Sequence, residues 1–261
     1  MPEPVLYAVD TGVATITFNR PGALNAADAA VKDAFLSCLH RAEASEEVRA
    51  VLLTGAGRAF CVGQDLRELQ PLYDAPEADL SDVVARFNLC TLALAALTKP
   101  TVAVINGAAA GAGASFAFAC DFRLMADTAT ISLAFAAIGL VPDSGASWTL
   151  PRLVGYPKAL ELLTHPRQIS AAESLELGLV TAVVPADALA AEASAYGAQL
   201  AAGPTRGFAL TKQALMSGQE TCFADALKLE AKLQVEAGKT ADHRNAVTAF
   251  LKKQKPTFEG R

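Results

Sequence analysis

Histidine is scarce in this chain, three among 261 residues. His40 falls in a helical pattern among charged neighbours, His165 precedes Pro166, and His243 stands between Asp242 and Arg244, so each reads as a surface residue. That disfavours a serine hydrolase: Ser115, in GAGASFA, lacks the GxSxG elbow, and no histidine has a visible claim on it. The five cysteines form no CxxC pair and no cluster with histidine, which argues against zinc. They read as reduced, mostly buried thiols of a cytosolic protein. Positive charge is also short: 22 Lys and Arg against 27 Asp and Glu give a net charge of −5. A nucleic-acid partner would favour a basic face, so none is expected, whereas a small anion needs only a few local cations. There is no GxxxxGK[ST] loop for a nucleotide phosphate. The opening MPEPVLYAVDTG lacks the charged start and apolar run of a signal peptide, and the expected location is cytoplasmic.

Charge is missing altogether from Thr101 to Cys120, a run that contains Gly107-Ala-Ala-Ala-Gly111. It imitates a membrane span with a GxxxG face. Asn106, the many small residues, and Pro100 and Asp121 at its ends instead favour a buried strand, a glycine turn and a helix. No membrane partner is expected.

What is present is an alternation of strands and helices. Residues 6–9 and 13–18 flank Asp10-Thr11-Gly12 as a hairpin. A helical pattern follows Asn25, with Val31, Phe35 and Leu39 on one side. Strands are expected at 50–53, 101–105, 122–126 and 130–133, and helices from Asp65, over 81–97, and from the NGAAAGAG loop to Asp121. The segment 71–79, with two prolines, reads as a mobile surface stretch. Beyond Pro157 the pattern is helical, over 157–163, 171–177, 185–202, 204–216, 220–237 and 240–251, with one strand at 180–184. Strand, glycine loop and helix recur after Leu53 and after Ile105, which implies an α/β fold whose loops and helix starts gather on one side.

Those loops are poor dinucleotide sites. Phe116 stands where GxGxxG needs its third glycine, and 131–133 reads Ile-Ser-Leu where a ribose-binding acid belongs. They fit two other roles. The glycines either permit close packing or free backbone N–H groups at a helix start to hold a developing oxyanion. A second sparse stretch, Thr128–Pro151, holds one ionisable side chain, Asp143. It reads either as the cap of a helix over 144–150, or as a desolvated carboxylate whose raised pKa suits a general base. The two are compatible.

At these positions the chain resembles the crotonase superfamily, the enoyl-CoA hydratase/isomerase family. The segments that carry the resemblance are TFNRPGALNA (17–26), TGAGRAFCVGQDL (54–66), INGAAAGAGASFAFACD (105–121), GLVPDSGASWTLPRLVG (139–155) and ISAAESLELGLVTAVVP (169–185). The resemblance implies a spiral of ββα units over 1–200, holding the acyl-CoA site. It also implies a C-terminal helical trimerisation region over 201–261, assembling a homotrimer or a dimer of trimers. It implies a CoA thioester substrate, with no metal and no cofactor beyond the CoA of the substrate. The oxyanion hole would be the backbone N–H groups of Gln64 and Ala112. Ala23, Leu24, Arg58, Phe60, Val62, Gly63, Asp65, Leu66, Gly111 and Phe135 would line the substrate or CoA. Arg20, Arg58, Arg67 and Lys212 are the candidate cations for the CoA phosphates.

The family's hydratases carry two glutamates, and the matching positions here are Ser115 and Phe135. Asp143 instead matches the catalytic acid of the family's isomerases, and the resemblance is strongest to those acting on ring 1,2-epoxides of aromatic acyl-CoAs. The implied reaction is double-bond or ring-epoxide isomerisation with Asp143 as catalytic base. Three rivals stay open: nucleophilic attack by Asp143 on a halogenated aromatic acyl-CoA, a residual hydratase activity, and a non-catalytic acyl-CoA-binding subunit.

Overall fold

The computed structural model of the chain describes residues 2–74 and 79–261. Strands β1 (Val5–Asp10) and β2 (Val13–Phe18) form the expected hairpin, paired from Val5↔Phe18 to Asp10↔Val13. After a 3₁₀ turn at Pro21–Ala23, α1 (Ala29–Ala44) begins at Asp28, whose side chain accepts a hydrogen bond from the Val31 N–H. β3 (Ala50–Gly55) and β4 (Ala59–Cys61) lead into α2 (Leu66–Tyr73) and α3 (Ser81–Ala96). β5 (Thr101–Ile105), β6 (Ala108–Ala110) and α4 (Ala112–Ala119) repeat that order. So do β7 (Phe122–Ala126), β8 (Thr130–Ser132) and α5 (Ala146–Val154). Next come α6 (Tyr156–Thr164), β9 (Gln168–Ser170), α7 (Ala171–Glu176) and β10 (Ala182–Val184). The chain ends in α8 (Leu189–Ala201), α9 (Thr205–Gly218), α10 (Phe223–Ala237) and α11 (Ala241–Leu251).

Each repeat places its first strand in one sheet and its second in another. The larger sheet runs β1-β2-β3-β5-β7-β10 and the smaller β4-β6-β8-β9, so the backbone climbs as a spiral of ββα units. Beyond the β1–β2 hairpin the larger sheet is parallel. Its central strands read AVLLTG and TVAVI because helices or the smaller sheet cover both faces, and a parallel strand buried on two sides needs no polar alternation. Between the sheets and α1, α3 and α4 lies a cluster of buried phenylalanines. Phe18 meets Phe35, Phe60 and Phe116 with ring centroids 5.0, 6.0 and 6.2 Å apart, and Phe116 meets Phe87 at 5.8 Å. This cluster fixes the starts of α2 and α4 relative to one another.

Several boundaries differ from the sequence reading. The three-residue strands β4, β6 and β9 were not expected, because so short a run shows no period. Helix α5 starts at Ala146 rather than 144 and continues through Pro151 to Val154. Pro151 removes a bond to the Ser147 carbonyl, but Ser147 is exposed and water can serve it. Pro71 is likewise inside α2, four residues after exposed Arg67, so 71–73 are helical. The rest of the proposed surface stretch includes 75–78, outside the described residues. The uncharged run from Thr101 to Cys120 is β5, β6 and α4, and among the described residues no helix is long and apolar enough to cross a membrane. Cys61, Cys90 and Cys120 are buried, Cys38 is half-buried and Cys222 exposed, all as free thiols. All three histidines are exposed.

Candidate active site

The loop between β4 and α2 is built around Ala27. Ala27 N–H donates to the Gly63 carbonyl at 2.7 Å, and its own carbonyl accepts from Asp65 N–H at 3.1 Å. This parallel bridge spends the groups on either side of Gln64 and turns the Gln64 N–H away. Gly63 has φ +83°, and a Cβ on it would lie 3.0 Å from the Ala110 carbonyl and 3.1 Å from the Ala112 nitrogen. Glycine is therefore required both by conformation and by the close approach of the two loops. On the facing side, Gly111 turns the chain with φ 51° and ψ −127°, so that Ala112 opens α4 with an N–H that no helical carbonyl can reach. Among the described residues, neither the Gln64 nor the Ala112 N–H has a protein acceptor. Two unspent donors thus sit on adjoining loops, one at a helix start, where partial positive charge favours an anionic oxygen.

Asp143 lies in the loop before α5 and is half-buried. It is not the helix cap: Gly145 holds that position with no side-chain bond, and only the Asp143 main-chain carbonyl accepts from Ala146. Among the described residues the carboxylate takes one hydrogen bond, from the Ser144 hydroxyl at 2.9 Å. Burial raises its pKa above the ordinary carboxylate value, and the Ser144 bond and the charge of Lys32 oppose that only in part. A carboxylate so held is a proton acceptor with spare lone pairs. At the two positions that the resemblance matches to hydratase glutamates there is no acid. Ser115 is fully buried and donates to the Gly111 carbonyl at 3.1 Å, and Phe135 is a buried ring whose edge lies 4.0 Å from where a Cβ of Gly111 would be.

The other expected residues divide. Gly63, Gly111 and Phe135 gather around the two donors, with half-buried Val62 beside them. Ala23 and Leu24 are half-buried in the turn before Asn25, whose amide donates to Ala56, Ala59 and Phe60 carbonyls and so ties that turn to the β3–β4 loop. Exposed Arg58 lies in that loop, and Leu66 is 54% exposed at the start of α2. Three expectations need correction. The Phe60 side chain is fully buried in the aromatic cluster, so it supports the loop from behind rather than lining it. Asp65 caps α2 and is committed to Arg67 and Arg20. Burial would raise its carboxyl, but those bonds outweigh it and hold the pKa low. Lys212 pairs with Asp121 at 2.8 Å, at the beginning of β5, the end of the strand away from the glycine loop. Of the remaining cations, Arg20 is engaged by Asp28 and Asp65, while Arg67 is largely exposed and pairs with Asp65 at 3.2 Å.

Two residues that the sequence reading passed over are central here. Lys32 is buried with its ammonium 2.9 Å from Gln64 Oε1 and 3.3 Å from Glu68 Oε2. Glu68 also accepts from Gln64 Nε2 at 2.7 Å and from the Ala29 N–H at 2.7 Å. Burial would raise the Glu68 carboxyl, but these bonds and the Lys32 charge hold it below its ordinary range. The signal for Lys32 was its place beside Val31 and Phe35 on the apolar side of α1. For Glu68 it was the D-x-x-E spacing from Asp65 that marks a helix start.

The model of the family described as Enoyl-CoA hydratase/isomerase matches residues 8–261. The chain belongs to the enoyl-CoA hydratase/isomerase family. Over 262 residues and the full length of both chains it is 40% identical to the 1,2-epoxyphenylacetyl-CoA isomerase of Escherichia coli K12. It is also 40% identical, over 98% of each chain, to a Rhodobacter capsulatus protein named "Probable enoyl-CoA hydratase". The crystal structure of an enoyl-CoA hydratase from Bacillus anthracis superposes with a TM-score of 0.93 at 30% identity, covering 99% of this chain and all of that one. The spiral fold is thus that of the crotonase-type enzymes of the family, and acyl-CoA processing follows from membership. Both reaction names occur among relatives of equal identity, so the reaction turns on the residues of this chain.

Proposed function

We propose that this enzyme is an acyl-CoA isomerase, shifting a double bond or rearranging a ring 1,2-epoxide on a CoA thioester with Asp143 as the single base. The observation that carries the reading is a desolvated, uncapped Asp143 carboxyl in a chain with serine and phenylalanine at the hydratase glutamate positions. The thioester oxygen is received by the N–H groups of Gln64 and Ala112, which stabilise it as negative charge builds on enolisation. Asp143 takes the proton from the acyl carbon and returns it elsewhere along the chain, or assists epoxide rearrangement. Isomerisation leaves the oxidation state of substrate and product equal, so the reaction calls for no redox partner. Likeness to an isomerase that acts on an aromatic epoxide supports the second substrate class. Phe135 beside Gly111 supplies an apolar wall for such a group.

The test offers purified enzyme a 3-enoyl-CoA, the epoxide of phenylacetyl-CoA and crotonyl-CoA. Wild type is expected to isomerise one or both of the first two and to hydrate the third poorly. Asp143→Asn is expected to lose about 10²–10⁴-fold in kcat/KM while keeping its fold. Vigorous hydration of crotonyl-CoA by both proteins would refute the assignment. A covalent ester on Asp143 with halide release from a halogenated substrate would favour nucleophilic chemistry. Thioester binding without turnover on any substrate would make the protein a binding subunit.

A further inference from the structure

Along α4 every residue is alanine, glycine or phenylalanine except Ser115. Ser115 is wholly buried, and taking a hydroxyl out of water carries a cost that alanine would not. Packing gives no reason for a serine here, but its partner does. The hydroxyl donates to the Gly111 carbonyl at 3.1 Å, and the Ser115 N–H donates to the same oxygen at 3.0 Å. A hydroxyl bonded to the carbonyl four residues back is common along helices, and Thr211 does the same to Gly207 on α9. What differs at Ser115 is the peptide that is gripped. The Gly111 carbonyl and the Ala112 N–H belong to one planar trans unit, so they point in opposite directions and turn together. Gly111 is also held from its other side, its N–H donating to the Ser132 carbonyl at 3.0 Å. At φ 51° and ψ −127°, without a Cβ, it leaves the peptide that follows restrained by whatever holds the oxygen. The Gln64 N–H is set in the same way, since the Gly63 carbonyl of its own peptide accepts from Ala27 N–H at 2.7 Å. There the grip is main chain, whereas at Gly111 half of it is a side chain.

We propose that Ser115 is a positioning residue for the isomerisation, its hydroxyl gripping the Gly111 carbonyl so that the Ala112 N–H stays aimed at the thioester oxygen. The inference rests on reading the Gln64 and Ala112 N–H groups as the oxyanion hole. Two effects act together. The first is geometric: a carbonyl oxygen held by two donors of α4 does not swing away, so the N–H of the same peptide keeps its direction. The second is electronic: hydrogen bonds accepted by an amide oxygen polarise the amide and make its N–H a stronger donor. Both gain weight as negative charge builds on the thioester oxygen, so they favour the transition state over bound substrate. Ser115 acts through the 111–112 peptide, at a position that the resemblance matches to a hydratase glutamate.

Ser115→Ala removes the hydroxyl, and Ser115→Cys puts a weaker donor on a slightly larger side chain. Ser115→Ala is expected to lose about 5–50-fold in kcat with KM changed less than about threefold, a part of what losing a donor outright costs. Ser115→Cys is expected to fall between alanine and wild type, an order that follows donor strength rather than volume. The same proteins are compared without ligand, carrying ¹³C at glycine carbonyls and ¹⁵N at alanine, so that only Gly-Ala peptides give cross-peaks. The peak of the 111–112 peptide is the one lost in Ala112→Pro, and its ¹⁵N shift is expected to move upfield in Ser115→Ala as the carbonyl loses a donor. A kcat within about twofold of wild type, a loss carried by KM, or an unmoved peak overturns the proposal. Should Ser115→Ala fail to fold, Ser115→Cys decides: a lower kcat with a shifted peak supports the role, and wild-type values overturn it. Ala112→Pro separates this role from the reading beneath it, because proline is tolerated at the first position of a helix and deletes the N–H itself. If Ala112→Pro folds and turns over substrate as wild type does, the oxyanion assignment is wrong and the proposal falls with it. If it loses activity while Ser115→Ala does not, Ser115 alone is misassigned. Absence of turnover in wild type defeats the isomerase reading and this role together.

Discussion

At Asp143 proton affinity and folding are coupled. Burial raises the folded-state pKa of its carboxyl above the unfolded value, so between the two the native state binds more protons than the unfolded chain. The sign follows: the penalty is absent below the unfolded value of about 3.9, grows as pH rises through the window, and is complete above the raised folded value. Asp143→Asn, which keeps an acceptor for Ser144, is therefore expected to melt at the same or a higher temperature than wild type at pH 7. The difference should vanish near pH 3. A lower melting temperature at pH 7 would mean that the carboxylate contributes to stability. At Gly63 the constraint is steric. Gly63→Ala puts a methyl 3.1 Å from the Ala112 nitrogen at φ +83°, so the two loops must part. On the proposed reading of the Ala112 N–H as an oxyanion donor, displacing it is expected to cost about 10²–10³-fold in kcat, and steady-state kinetics with wild-type-like circular dichroism would check it. The lone acid and the glycines were legible in the sequence because both are anomalies of composition. Lys32 was legible only as a lysine beside Val31 and Phe35 on the apolar side of α1, a place that does not say whether its ammonium reaches water or a buried amide.

Between elements, Asn25 does what no backbone ladder does. It is 1% exposed, at φ 57°, and its amide serves three carbonyls of the β3–β4 connection while its oxygen accepts from Arg20 N–H. Asn25→Ala takes that donor from the Ala56, Ala59 and Phe60 carbonyls, of which Ala59 still accepts from the Asn106 amide at 3.3 Å, and is expected to cost about 2–4 kcal/mol in urea unfolding. A cost below about 1 kcal/mol would show that the turn finds other partners. The long elements could be read from sequence because α1, α3 and the helices after Pro157 repeat their apolar residues at helical spacing, and β3 and β5 are short apolar runs bounded by turns. β4, β6 and β9 could not, since three residues acquire strand geometry only by pairing with a neighbouring strand. With β8 they form the second sheet, and with it the spiral, so the sheet that presents the Gln64 loop came from tertiary contact.

Across the whole molecule, the last helices leave large apolar side chains in the open, Phe223 at 80% and Phe250 at 81% among them. We propose that these faces meet other copies of the chain, and that sedimentation equilibrium gives three or six times 27.1 kDa. A monomer at micromolar concentration would overturn this. Sequence by itself determined the α/β alternation, the absence of nucleotide and zinc motifs, the two glycine loops and the isolated acid, since each follows from residue type and spacing within a few positions. Only the tertiary structure decided that Asp143 does not cap α5, that Phe60 and Lys212 face away from the site, and that Lys32 and Glu68 close around Gln64. Those outcomes depend on which distant segments exclude water from one another, and nothing in local spacing encodes that.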